Sequence, residues 1–160
     1  MSLVVPARKI DSVRFISKLD DAIDIEQSDR EAYEQDPVKN QDKLVLLPGK
    51  EPTVFVLNLK LSAQQIKEIK DNSVRGVDKD SGTIITLGSW SHMVCKVILK
   101  DIINPKDVVN PLVKYKKDSR GYVAEDVMDV LANYGILDEI FACYNKMTAK
   151  DEEVIRQGKN

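Results

Sequence analysis

The sequence predicts an α+β fold: a small antiparallel sheet in the N-terminal and central part, four or five short helices, and a helical C-terminal third. Three observations carry this. Side chains alternate from Thr53 to Leu61 with the period of two that marks a half-buried strand. From Ala124 onward apolar residues recur at helical spacing. The chain has 160 residues, 42% of them hydrophobic and 31% charged, so it is about one domain long. A domain of that size buries roughly two-thirds of its unfolded surface.

Taken in order, residues 1–18 carry four cations (Arg8, Lys9, Arg14, Lys18) against Asp11. Residues 19–42 reverse this, with nine acids against Arg30 and Lys39. So acidic a block holds little apolar surface beyond Ile23, Ile25 and Tyr33. It reads as an extended or partly ordered arm with one short helical turn. The expected organisation is a polar, acidic N-terminal arm over 1–43, followed by a single α+β domain over 44–160 with a helical end. Asp20, Asp21, Asp24 and Tyr33 are the arm's candidate partner-binding residues.

Pro48 to Pro52 ("PGKEP") is turn chemistry, because glycine accepts positive φ and proline fixes its own. In the strand that follows, Thr53, Phe55, Leu57, Leu59 and Leu61 share one face. Leu44 to Leu47 is expected to pair with it as a hairpin, and the strand is expected to offer an edge to a neighbour, with Phe55 a candidate contact. Ser62 stands where a helix N-cap belongs, and Gln65 three residues on completes a capping box. The helix it opens puts Ala63, Ile66 and Ile69 on one face and ends near Asn72. A polar loop and a short apolar run occupy 76–88. A further helix is expected over the next segment, with Trp90, Val94, Val97, Ile98 and Ile102 near helical spacing and Pro105 as its end.

Lys114 to Gly121 ("KYKKDSRG") is a basic connector, whose Lys114, Lys116, Lys117 and Arg120 are candidate partner contacts. Beyond it, Val127, Val130 and Leu131 make an apolar stripe on a helix from Ala124 to Tyr134, with Gly135 as its C-terminal cap. Ile136 to Met147 forms the next helix. "TAKD" (Thr148 to Asp151) resembles a fresh N-cap opening a short, charged terminal helix.

Composition excludes several functions. A net charge of −2 and a pI near 5.5 speak against general affinity for nucleic acid. No apolar run approaches the roughly 20 residues of a membrane-spanning helix. The N-terminus lacks the apolar core of a secretory signal, so a reducing cytoplasm is the expected compartment. Cys95 and Cys143 fit it as free buried thiols, since neither has a second cysteine or a histidine at zinc-ligand spacing. "DKDSG" (Asp78 to Gly82) suggests a calcium loop, but the loop positions that need an acid or amide, a glycine and a glutamate hold Gly82, Thr83 and Ser89. The lone His92 has no recognisable nucleophile motif and reads as structural. Glu125, Asp126 and Asp129, like Asp138 and Glu139, read as solvated helix faces that could meet the basic connector. No catalytic residue, cofactor or metal is expected.

The order of features resembles that of small tail-assembly and virion-associated proteins of tailed bacteriophages. The resemblance rests on a polar arm ("SKLDDAID"), a proline-threonine pair entering a T-x-F-x-L strand, and a helical end of the type "LANYGILDEIFACYNKMTAKDEE". It covers residues 44–66 and 124–156. It implies a non-enzymatic protein that binds other tail proteins or copies of itself, as an oligomer or part of a larger assembly. The expected location is the host cytoplasm during assembly, and the virion if the protein stays in the particle. Structural positions alone carry over: Pro52, Thr53, Phe55 and Leu57 in the strand, and Ile136, Leu137, Glu139 and Ile140 near the end. The helix bearing Trp90, His92 and Cys95 and the basic connector depart from the pattern. The alternatives are a small acidic regulatory or inhibitory protein, and a small hydrolase using His92 with Asp78 or Asp80.

Overall fold

The computed structural model describes residues 12–73, 90–106 and 113–158. Asp78, Asp80 and the loop around them lie outside the described residues. Three strands, β1 (Ser12–Phe15), β2 (Val54–Asn58) and β3 (Leu99–Ile103), form an antiparallel sheet in the order β1-β2-β3. Five α-helices accompany it among the described residues: α1 (Arg30–Gln35), α2 (Ala63–Ser73), α3 (Trp90–Ile98), α4 (Glu125–Asn133) and α5 (Ile136–Gly158). The class is α+β, with helices in the C-terminal part.

One face of the sheet and the helices share a single apolar core. Val13 and Phe15 of β1, Phe55 and Leu57 of β2, and Leu99 and Ile102 of β3 meet Val94 and Ile98 of α3, Leu131 of α4 and Ile140 of α5. The expected alternation holds in β2, where Thr53, Phe55 and Leu57 are fully buried. Its pairing differs from the expected hairpin. β2 is the central strand, bonded to β1 on one side and β3 on the other, and so offers no free edge. The segment from Leu44 to Leu47 pairs instead with 22–24: Leu46 bridges Ile23, and Leu47 N–H donates to Ala22 O. Pairing preference at a turn is local, and here longer-range partners with buried faces outcompeted it.

The second difference lies in the segment after Trp90. The expected helix stops at Ile98, and Leu99 to Ile103 continues as β3. A bulge explains the misleading pattern. Val56 pairs with Asp101 and Leu57 with Leu99, so two residues of β2 face three of β3 and Lys100 is the extra one. Leu99 and Ile102 thereby share the inner face at a spacing of three, which a helix would also produce. Asn104 then turns the chain at φ 56, its amide donating to Glu51 O (3.1 Å) and Pro52 O (3.3 Å) while its carbonyl accepts from Thr53 Oγ1 (2.7 Å).

The acidic segment folds onto this body rather than extending as an arm. β1 of the sheet immediately precedes it, and Tyr33 of α1 is buried, stacked on Phe15 with its hydroxyl accepting Ile16 N–H (2.9 Å). Ile23 is buried too, whereas Ile25 is exposed. Its aspartates supply acceptors that a loop-rich chain needs. Asp29 caps α1 by accepting Ala32 N–H, Asp24 accepts from Glu26 and Gln27, and Asp36 from Val38 and Lys39.

α2, α4 and α5 begin within a residue of their expected starts, whereas the terminal helix expected from Thr148 has no start of its own. Ser62 and Gln65 close the reciprocal capping box at the head of α2, with Ser62 Oγ accepting Gln65 N–H (3.1 Å) and Gln65 Oε1 accepting Ser62 N–H (2.9 Å). Ile69 of α2 is buried, but Ile66 is 41% exposed, so the apolar face is narrower than expected. Gly135 takes φ 76 between α4 and α5, as its place after Tyr134 demanded. α5 runs without a break past Thr148, whose hydroxyl donates back to Tyr144 O (2.8 Å) and caps nothing. Met147, buried one residue earlier, holds the helix to the core through that point. Among the described residues no helix is long and apolar enough to cross a membrane.

Candidate functional site

Two surface features bring chemistry-bearing side chains together. The first joins α3 to the start of α4. His92 and Lys96 stand four residues apart on α3, and Glu125 and Asp129 four apart on α4, so each pair shares a helix face. Packing sets the two faces side by side. His92 Nε2 lies 3.2 Å from Glu125 Oε2, while Lys96 Nζ donates a short hydrogen bond to Glu125 Oε1. Lys96 Nζ is also 3.6 Å from Asp118 Oδ2. One ligand-type atom each of His92, Glu125 and Asp129 falls within 4.8 Å of the others. Partial burial raises the affinity of Glu125 for a proton, but the hydrogen bonds from Lys96 and then His92 outweigh it and hold the carboxyl below its ordinary range. Asp118 is likewise held low: desolvation pushes it up, and hydrogen bonds from the Tyr122 and Arg120 N–H groups, with Lys96 beside it, more than reverse this.

The second feature is a cleft of about 430 Å³ between the end of β1, α1 and the α4–α5 junction. Its apolar rim is Leu19, 57% exposed, and Tyr134, 50% exposed. Lys18, Lys146, Glu34 and Asp138 place both signs of charge around it. Glu139 ties the walls together by accepting from Ser17 Oγ (2.6 Å) and Lys18 N–H (3.0 Å), and Lys146 Nζ donates to Glu34 O (3.3 Å). Cys143 lies at the floor, its thiol pushed up to about 12 by burial. Cys95, which donates to Leu137 O, is pushed up to about 12 by the same cause. Both are free, buried and protonated at neutral pH, which makes them poor nucleophiles.

Several residues expected to touch a partner have internal work instead. Tyr33 and Phe55 are core residues. Asp20 is buried: Oδ2 accepts Thr53 N–H (2.7 Å), Oδ1 accepts Ala22 N–H (2.9 Å), and Lys106 Nζ stands 3.5 Å away. A carboxylate so placed joins the acidic segment to the entry of β2. Asp21 is exposed and pairs with Lys106 at 2.9 Å, and Asp24 serves its own turn. Of the connector, Lys114, Lys116, Lys117 and Arg120 are all exposed. Lys116 pairs with Asp126, and Arg120 pairs with Glu68 at 2.5 Å while its guanidinium lies 5.5 Å from the Tyr122 ring. The connector therefore meets an acid of α4 through Lys116 and one of α2 through Arg120, so both cations pair within their own chain.

The triad His92, Glu125 and Asp129 escaped the sequence reading. The i, i+4 spacing within each helix was visible, but 33 residues separate His92 from Glu125 and only tertiary packing pairs the two faces. A scan of the chain against protein-family models finds no match, and searches of curated proteins and of solved structures also return none.

Proposed function

We propose that this chain is a non-enzymatic protein-binding protein, and specifically a tail-assembly or tail-structural component of a tailed bacteriophage. Its partners are other tail proteins or further copies of itself, met in the host cytoplasm during assembly. The observation that carries the binding reading is the cleft rimmed by Leu19 and Tyr134. Large apolar side chains this exposed, set among charges of both signs, have the composition of a protein contact: an apolar centre with a polar rim that sets register. The bacteriophage reading rests on the sequence resemblance alone.

The inhibitory alternative is weaker by two acids, because Asp20 and Asp36 of the nine in the acidic segment are buried and bonded internally. Light scattering across a concentration series tests the proposal, with the full chain compared to Leu19→Glu and Tyr134→Ala. Both side chains are exposed, so the variants keep the fold. Oligomers that weaken in both variants support self-assembly through the cleft. A monomer at every concentration leaves the other tail proteins as partners. Co-purification with them, lost in the same variants, then decides, and its failure with the unmodified chain overturns the reading.

A further inference from the structure

We propose that His92, Glu125 and Asp129 form a binding site for a divalent first-row transition ion of the zinc type. The three groups come from two helices packed against the core, α3 and α4, and not from a mobile loop. One imidazole nitrogen and two carboxylate oxygens suit borderline ions such as Zn²⁺ better than Mg²⁺ or Ca²⁺, which favour oxygen alone.

The spacing fits. Ligands bound at about 2.1 Å stand roughly 3.0–3.4 Å apart in octahedral or tetrahedral geometry. His92 Nε2 and Glu125 Oε2 are already 3.2 Å apart. Asp129 lies one helical turn beyond Glu125, with a carboxylate oxygen inside the same 4.8 Å group. His92 keeps 24% and Glu125 54% of its side chain exposed, so an ion can enter and water can complete its coordination.

Lys96 fits this arrangement as a neighbour of the site. It donates to Glu125 Oε1, the oxygen that does not face His92, and has Asp118 as a second carboxylate to hold its charge. Glu125 is thus oriented, which is what hydrogen bonds around a metal-binding carboxylate do. The ion would clamp α3 to the head of α4.

Isothermal titration of the tag-free full chain with Zn²⁺ tests the site, alongside His92→Ala and Asp129→Asn. The expected result is one ion per chain, a raised melting temperature with Zn²⁺, and affinity lower by at least about tenfold in each variant, since even groups behind the ligands typically contribute that much. Excess Mg²⁺ should not displace the ion. Co²⁺ bound in place of Zn²⁺ should show no thiolate charge-transfer absorption, which separates this site from Cys95 and Cys143. No stoichiometric binding, unchanged affinity in the two variants, a thiolate band, or displacement by Mg²⁺ would each overturn the proposal. Circular dichroism of both variants without metal checks that they remain folded. If His92→Ala does not, His92→Gln replaces it with the same expectation.

Discussion

Residues 19–43 and residues 124–147 are both rich in acids, yet the first is mostly loop and the second mostly helix, and they use their carboxylates in different ways. In the first segment several aspartates turn to the backbone, and Asp20 and Asp36 are buried in doing so. Asp20, Asp24, Asp29 and Asp36 each accept backbone N–H groups that a chain with little regular structure would otherwise leave unpaired. In the second, the helices satisfy their own backbones, and the acids stand on outer faces where they meet cations: Glu125 with Lys96, Asp126 with Lys116. Charge density alone does not say whether a segment is solvated. What decides is whether nearby backbone groups lack partners.

The largest effect that would break this contrast lies in α1. Tyr33→Ala removes a buried ring that stacks on Phe15, and should cost about 3–5 kcal/mol in urea unfolding. If residues 12–43 were a detachable arm, the variant would unfold at the unmodified midpoint. Asp20→Ala comes next. It strands the buried N–H of Thr53 and should cost about 2–3 kcal/mol, while Asp21→Ala, exposed beside it, should stay within about 0.5 kcal/mol. Equal effects at the two positions would erase the distinction between inward and outward acids.

In the second segment, Gly135→Ala puts a side chain at φ 76 with open space around it. The cost is conformational alone, about 1 kcal/mol, and should appear as a small fall in melting temperature. Smallest is Lys116→Met. The hydrogen bond from Lys116 is the first cause that holds the Asp126 carboxyl below its ordinary 3.8. A depressed carboxylate contributes stability that is present above its unfolded pKa and lost as pH falls through the folded one. The unmodified chain should therefore exceed Lys116→Met slightly at neutral pH. The gap should close below about pH 4, and also in 1 M salt, as screening removes an exposed pair. A gap that persists in acid or salt would mean that Lys116 contributes through packing.

The elements governed by local chemistry were legible in the sequence. The α+β class, the inner face of β2, the capping box of Ser62 and Gln65, the glycine between α4 and α5, and the two buried thiols each follow from a residue and its near neighbours. These interactions span a few positions and need no knowledge of what packs beyond them. The misreadings share a different cause. β3 resembled helix because the Lys100 bulge put Leu99 and Ile102 on one face at a spacing of three. Thr148 resembled a cap because the burial of Met147 beside it, which carries α5 onward, is a tertiary fact. The acidic segment resembled an arm because its acceptors serve donors as distant as Thr53.

The sequence by itself determined the class, the central strand face, the helix caps and the thiol chemistry, because hydrophobic period and capping act over one or two turns. Only the tertiary structure decided which strands flank β2, where the acidic segment lies, and that His92 meets Glu125 and Asp129. Those outcomes depend on which distant apolar faces bury one another, and the side chains at their edges are brought together as a consequence.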